Sequence, residues 1–230
     1  MDKWPDRQKK EIVNGTFKNN RKIVLSGKKA DLQKAVFLDR DGIIIKDKHY
    51  ISDWRDVELR SGAVNLLAYA KENNYLCVVI TNQSGIARGL FKWNEYSDVT
   101  QRMLQLLGPV HNIDAIYAAG GMNENGQNSW RKPGTGMIRE ACNDLNIDCA
   151  KSILIGDRFT DILAGYNANI KILVHAASET KKKELQRINK WMEQNNVDTD
   201  ANGIETSGKV LFVSSLEEIS KLDLIGRSEK

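Results

Sequence analysis

Short apolar runs that stop abruptly at polar residues set the fold class of this chain. Residues 35–38 run into Asp39-Arg40-Asp41-Gly42, residues 75–80 into Thr81-Asn82-Gln83-Ser84-Gly85, and residues 152–155 into Gly156-Asp157. Runs of this length bounded by turn residues read as strands buried on both faces. Between them apolar residues recur at helical spacing: Val64, Leu67 and Ala68; then Tyr96, Val99, Met103 and Leu107; then Met137, Ala141 and Leu145. Weaker strands are expected at 114–119, 171–174 and 209–213. Ser61, Asn94 and a Ser215-x-x-Glu218 box offer helix starts. Strands alternating with helices predict an α/β fold, a three-layer, Rossmann-like, mostly parallel sheet with helices on both faces.

In such a sheet, chemistry sits just beyond the carboxyl ends of the strands. Asp39 and Asp41 fall at that edge, and residues two apart in an extended segment point the same way. Thr81 and Asn82 end the second run, Asp157 ends another with Asp161 four residues on, and Lys132 precedes Pro133 before a helix. Taken singly, each has a plain reading as a turn residue, a first-turn acid or a solvated loop charge. Together Asp39, Asp41 and Asp157 set three carboxylates beside a hydroxyl and a lysine on one edge, a set suited to phosphate. Asp39 can serve as nucleophile, and Asp41 can protonate the ester oxygen and then deprotonate water. Asp157 can help hold a magnesium ion, while Lys132 and the Thr81 hydroxyl stabilise the phosphoryl oxygens.

The net charge of +4 is unevenly placed. Residues 1–30 hold nine Lys/Arg against three acids, so the remaining 200 residues carry −2. Residues 1–33 are therefore expected to form a basic extension, solvated rather than bound to nucleic acid, in which 22–25 could make a short strand before Ser-Gly-Lys-Lys breaks it. The folded body is expected over 34–225, with a 178–208 insertion whose Leu185, Ile188 and Met192 mark an amphipathic helix. Residues 43–45 and 49–51 suggest a small flap hairpin turning at 46–48. Three cysteines, Cys77, Cys142 and Cys149, show no paired spacing and predict no disulfide framework. No segment reaches the roughly 18 apolar residues that span a membrane, and no signal-peptide pattern opens the chain. A cytoplasmic protein acting as a monomer is expected.

Four stretches resemble the motifs of the haloacid dehalogenase (HAD) superfamily. They are Asp39-Arg40-Asp41-Gly42, Thr81-Asn82-Gln83-Ser84-Gly85-Ile86-Ala87-Arg88-Gly89, Arg131-Lys132-Pro133 and Gly156-Asp157-x-x-x-Asp161. Within it they are similar to the histidinol-phosphatase and heptose-bisphosphate-phosphatase group. The likeness runs from about residue 36 to 222. It implies Asp39 as nucleophile and Asp41 as acid/base, with magnesium held by Asp39, Asp157 and the Asp41 carbonyl. It implies Thr81, Asn82 and Lys132 on the phosphate, Ser84 and Arg88 beside the substrate, and Arg131 reaching the sugar or its second phosphate. It also implies no large cap domain.

The group often carries a Cys/His zinc loop before Arg-Lys-Pro. Residues 120–130 hold neither Cys nor His, so no structural zinc is expected; the loop should rest on its own turns and on Trp130. The implied substrate is a small phosphorylated sugar, foremost D-glycero-D-manno-heptose 1,7-bisphosphate, losing its 7-phosphate. Histidinol phosphate and a polynucleotide 3′-phosphate are the alternative substrates. A non-catalytic phosphate-binding module is the alternative from another class, and Asp41 speaks against it.

Overall fold

The computed structural model describes residues 13–17, 19–109, 111–122, 126, 128–176, 182–195, 197 and 209–221. Its strands are β1 (Val13–Phe17), β2 (Asn20–Val24), β3 (Lys34–Leu38), β4 (Tyr75–Asn82), β5 (Ala115–Ala119), β6 (Ile153–Gly156), β7 (Ile172–Ala176) and β8 (Lys209–Val213). They form one eight-stranded sheet in the order β1-β2-β5-β4-β3-β6-β7-β8. From β5 to β8 every pairing is parallel. The helices are α1 (Ala63–Glu72), α2 (Ser84–Ala87), α3 (Trp93–Leu107), α4 (Gly136–Leu145), α5 (Phe159–Asn167), α6 (Lys182–Asn195) and α7 (Glu217–Lys221).

Alternation along β3 splits the core. Val36 and Leu38 face one layer with Leu66 and Leu67 of α1, Val99 and Met103 of α3, and Ile219 of α7. Ala35 and Phe37 face the other, with Met137 and Ala141 of α4, Ile162 of α5, and Ile188 and Met192 of α6. Both faces of β3 are sealed, which is why its sequence is apolar without interruption.

From β3 the chain winds outward through β4 and β5, then returns to lay β6 on the other side of β3. The direction of winding reverses between β3 and β6, and a crevice opens at such a switch point. Asp39 follows β3 and Asp157 follows β6, so topology sets these two carboxylates side by side.

Three expectations differ from the structure. Residues 13–17 and 19–24 are not a solvated arm: β2, where a short strand could be read at 22–25, pairs antiparallel with β5, with Ile23 opposite Ile116, and β1 pairs with β2. An otherwise open β5 edge gains a partner this way. Lys22 holds it there, its ammonium 2.7 Å from Glu140 and 2.9 Å from Asp144 on α4. Residues 1–12 and 18 lie outside the described residues, as do 178–181, 196 and 198–208 of the expected insertion.

The flap hairpin also changes partner. The Lys46 N–H donates to the Glu58 carbonyl at 2.9 Å and the Arg60 N–H to the Ile44 carbonyl at 2.9 Å, so 44–46 pair with 58–60. Residues 43–45 are fully buried and take the nearest strand-like segment that can follow them inside. His49 and Tyr50 instead ride on the loop between, both left-handed at φ 50° and 52°. The third difference lies at the helix starts. The α1 cap is Gly62, while Ser61 donates to Glu217 at 2.8 Å. The first turn of α3 is closed by Glu95 accepting from the Lys92 N–H at 2.7 Å, and Glu218 accepts from the Ser214 N–H at 3.0 Å.

Candidate active site

Asp39 is buried, and its Oδ1 accepts from the Arg40 N–H at 2.8 Å. Lys132 reaches the same oxygen at 3.0 Å and Asp161 Oδ1 at 2.7 Å, and donates to the Ile80 carbonyl at 2.7 Å. Its ammonium is thus fixed by three oxygens from three elements. Burial alone would lower the Lys132 pKa, but Asp161 and Asp39 outweigh it and hold the lysine protonated. Burial pushes the Asp39 carboxyl above the usual carboxylate range, Asp161 adds to this, and Lys132 opposes it.

Asp157 is fully buried, and ligand oxygens of Asp39, Asp157 and Asp161 all lie within 4.8 Å of one another. Two glycines make this crowding possible. A Cβ on Gly42, whose φ is +92°, would sit 2.0 Å from Asp157 Oδ2; one on Gly156 would sit 2.3 Å from the Asp161 side chain. Three buried carboxylates meet one buried ammonium here, so the set fits a hard divalent cation with oxygen ligands.

Asp41 lines the same cleft as Asp39 and Asp161, but its carboxylate is held by a different set of partners. Arg40 Nη2 lies 3.1 Å from its Oδ2, the Gln83 amide donates to that oxygen at 2.9 Å, and the Thr81 hydroxyl stands at 3.5 Å. Arg40 is itself buried, donating to Thr100 at 3.3 Å and lying over the Tyr96 ring at 5.1 Å.

Asn82 is engaged by Lys132. Its Nδ2 donates to the Lys132 carbonyl and its Oδ1 accepts from the Lys132 N–H, both at 2.9 Å. The loop delivering Lys132 is braced further by its own turns and by Trp130, whose ring lies 5.9 Å from that of Tyr117. Asn123, Glu124, Asn125 and Gln127 of this loop lie outside the described residues.

Two clefts meet at Asp41, Asn82, Ser84 and Arg158. The first opens toward Asp47, His49 and Tyr50. The second contains Asp39, Lys132 and Asp161 and is walled by Arg131, Glu184 and Arg187. Of the residues anticipated at the substrate, Arg88 stands apart, exposed with its guanidinium 6.0 Å from the Tyr50 ring centre.

Several site residues carried no role in the sequence reading. Gln83 and Arg40 lie inside the quoted motifs, and a polar residue between catalytic candidates was their signal. Arg158 sits beside Asp157, 3.1 Å from Asp47. Burial would lower its pKa, but Asp39, Asp157 and Asp47 raise it above the ordinary arginine range. Glu184 and Arg187 come from α6 and had no local signal. Their helix is docked by Glu184 accepting from the Phe159 N–H at 2.7 Å and by Trp191 against Phe159 and Tyr166, centroids 6.0 and 4.9 Å away.

A parallel sheet with acids, a buried lysine and a hydroxyl at its switch point defines an α/β enzyme acting on phosphate esters. Residues 31–190 match the sequence model of the polynucleotide kinase 3 phosphatase family. The D-glycero-alpha-D-manno-heptose-1,7-bisphosphate 7-phosphatase of Campylobacter jejuni is 37% identical over 67% of this chain and 88% of its own length. The D-glycero-beta-D-manno-heptose-1,7-bisphosphate 7-phosphatase of Helicobacter pylori is 40% identical over 60% of this chain and 80% of its own. Among solved structures, a protein from Mesorhizobium loti described as HAD-like phosphatase superposes with a TM-score of 0.72 at 26% identity, over 94% of this chain and 98% of that one. The D,D-heptose 1,7-bisphosphate phosphatase of B. bronchiseptica, complexed with magnesium and phosphate, shares the fold with a TM-score of 0.66 at 23% identity, over 84% and 98%. The chain belongs to the HAD-like phosphatase family.

Proposed function

We propose that this enzyme removes the 7-phosphate of D-glycero-D-manno-heptose 1,7-bisphosphate by way of an aspartyl phosphate on Asp39. The observation that carries the chemistry is Lys132, buried and bridging Asp39 and Asp161 beside Asp157. The substrate reading rests on relatives 35–40% identical that bear this activity in their names.

Asp39 attacks phosphorus in line, and Asp41 gives its proton to the departing sugar oxygen. Asp41 then takes a proton from the water that attacks the phosphoryl group, and Asp39 is regenerated. Gln83, Thr81 and Arg40 fix the Asp41 carboxyl for both transfers. Lys132 and Thr81 meet the phosphoryl oxygens. Asp39, Asp157 and the Asp41 carbonyl would hold magnesium, with Asp161 tethering Lys132 at its side. When bound, the ion supplies positive charge against which carboxylate and phosphate can approach. Ser84 and Arg131 line the substrate cleft, where a guanidinium can grip the second phosphate in bidentate fashion.

A phosphate-release panel with magnesium tests this, using both anomers of the heptose bisphosphate, histidinol phosphate and a 3′-phosphorylated oligonucleotide. One heptose anomer should exceed the other substrates in kcat/KM by about tenfold or more, since a second phosphate adds binding the others cannot use. The family model's description favours the oligonucleotide as rival. A higher kcat/KM for that substrate would overturn the sugar reading.

A further inference from the structure

Chemistry-bearing side chains also meet at the other end of the strands. Residues 146–152 clamp the start of β3. The Gln33 N–H donates to the Asn146 carbonyl at 2.8 Å and the Asp148 N–H to the Gln33 carbonyl at 2.8 Å. Ser152 Oγ accepts from the Ala35 N–H at 3.0 Å and donates to the Asp148 carbonyl at 2.6 Å. Within this clamp, Cys142 of the last turns of α4 meets Cys149 of the short 3-10 helix Cys149–Lys151, sulfur to sulfur at 2.7 Å.

That separation is telling. Non-bonded carbon atoms rest at about 3.5–4.0 Å, and sulfur is larger. A disulfide bond is about 2.05 Å. The two thiols are therefore far inside ordinary contact, and a shift of well under 1 Å closes the bond. Both side chains are partly exposed, whereas Cys77 is buried on another strand. This pairing was not readable beforehand, because the spacing matches no familiar framework and only the turn at 146–148 folds Cys149 back onto α4.

We propose that Cys142 and Cys149 form a reversible disulfide by exchange with small disulfides of the glutathione class. The two thiols share one hydrogen bond in which either sulfur can donate, so whichever is deprotonated becomes the attacking sulfur. Its thiolate attacks one sulfur of the external disulfide, forming a mixed disulfide and expelling one thiolate. The second cysteine then gives its proton to solvent, attacks the protein sulfur of the mixed disulfide and expels the second thiolate. Two protein thiols are oxidised and one external disulfide is reduced to two thiols. The bond pins the end of α4 to the turn feeding β6 and fastens the clamp on β3. It lies at the strand ends opposite the active site, so it acts on stability and leaves turnover unchanged.

The experiment uses the full chain equilibrated in oxidised and reduced glutathione, read by intact mass and peptide mapping. Oxidation should give a species about 2 Da lighter with no glutathione adduct, reversed by dithiothreitol and mapped to Cys142–Cys149. Cys142→Ser should instead stop at the mixed disulfide on Cys149. The melting temperature of the oxidised protein should rise by roughly 3–8 °C, the scale of a short closed loop in a chain this size. Turnover of an aryl phosphate by each serine variant serves as the folding control. Two alkylatable thiols at positions 142 and 149 after oxidation, or a bond to Cys77, would overturn the pairing. An unchanged melting temperature would overturn the clamp.

Discussion

Asn82 and Lys132 hold each other by two hydrogen bonds of 2.9 Å, amide to backbone in both directions. The end of β4 and the loop before α4 are thereby joined across 50 residues of chain. On this geometry we propose that Asn82 positions the lysine, both ends of its amide being engaged by the Lys132 backbone. Asn82→Ala should free the loop and lower kcat by roughly 10–100-fold, the cost of misplacing a catalytic group by about 1 Å. Asn82→Asp should behave like Asn82→Ala, because its carboxylate faces the Lys132 carbonyl. A purely raised KM with kcat intact, measured on an aryl phosphate, would return Asn82 to the substrate.

Asp39→Asn keeps the volume and removes the proposed nucleophile, so turnover should fall by about a thousandfold or more. Stability should move the other way. The folded Asp39 carboxyl is raised by burial, so its contribution to stability is present below its unfolded pKa and is lost as pH rises through the folded one. In chelator, the wild type should lose melting temperature relative to Asp39→Asn as pH climbs from acid toward neutral. Magnesium should then stabilise the wild type more than the variant. A difference between the two proteins that stays constant with pH would contradict this account of the buried carboxyl.

Asp41→Asn leaves Arg40, Gln83 and Thr81 in place around an amide that cannot give or take the proton. With a sugar phosphate, turnover should collapse by about 10²–10⁴-fold. With an activated aryl phosphate, the first attack should suffer far less, because the leaving group needs little protonation. Pre-steady-state bursts of aryl alcohol would show this directly. Equal losses on the two substrates would remove Asp41 from proton transfer.

Lys22 is only about 10% exposed and stands between Glu140 and Asp144. Burial lowers its pKa, but the two carboxylates raise it further, so its contribution persists below about 10.4, the unfolded value, and fades as pH passes the raised folded one. Lys22→Met should cost about 1–3 kcal/mol by leaving two partly buried acids without their cation. The melting temperature should drop by several degrees while kcat for an aryl phosphate holds. If the variant melts like the wild type, the β2 strand is not fastened through this pair.

The central fold was legible because it depends on signals carried within single segments. Apolar runs of strand length, each ending in Asp, Thr or Gly-Asp, located β3, β4 and β6 and the edge where they finish. Lys22 marks where that reading failed. A short strand could be read at 22–25, but its mixed polarity gave no sign that it joins the sheet beside β5, because the acidic partners of Lys22 lie far off in sequence on α4. Residues 43–45 failed similarly: their burial was readable, but whether they paired with 49–51 or 58–60 depended on the whole layer. Asp161 was visible in its motif, yet its contact with Lys132 joins segments far apart in the chain.

Arg187 gives the sharpest test of the wall that α6 adds. Its guanidinium lies over the Phe159 ring at 5.0 Å and 3.2 Å from Glu184, and Glu184 in turn caps the first turn of α5 beside Asp157. The helix is therefore fastened to the catalytic edge, and Arg187 and Arg131 line the cleft that contains Lys132. Arg187 is engaged by Glu184 and Phe159, and both arginines are expected to act on the substrate's far end rather than on the chemical step. Both offer planar forks suited to a second phosphate. Arg187 is about half exposed, so Arg187→Ala should raise KM for the bisphosphate only about 3–10-fold. Arg131→Ala, from the more enclosed position, should raise it further. Neither should change kcat/KM for an aryl phosphate, which has no second charge to grip. An Arg187→Ala penalty of the same size on both substrates would mean that α6 supports the site mechanically. An Arg131→Ala penalty of the same size would place that guanidinium on the transferred phosphoryl group.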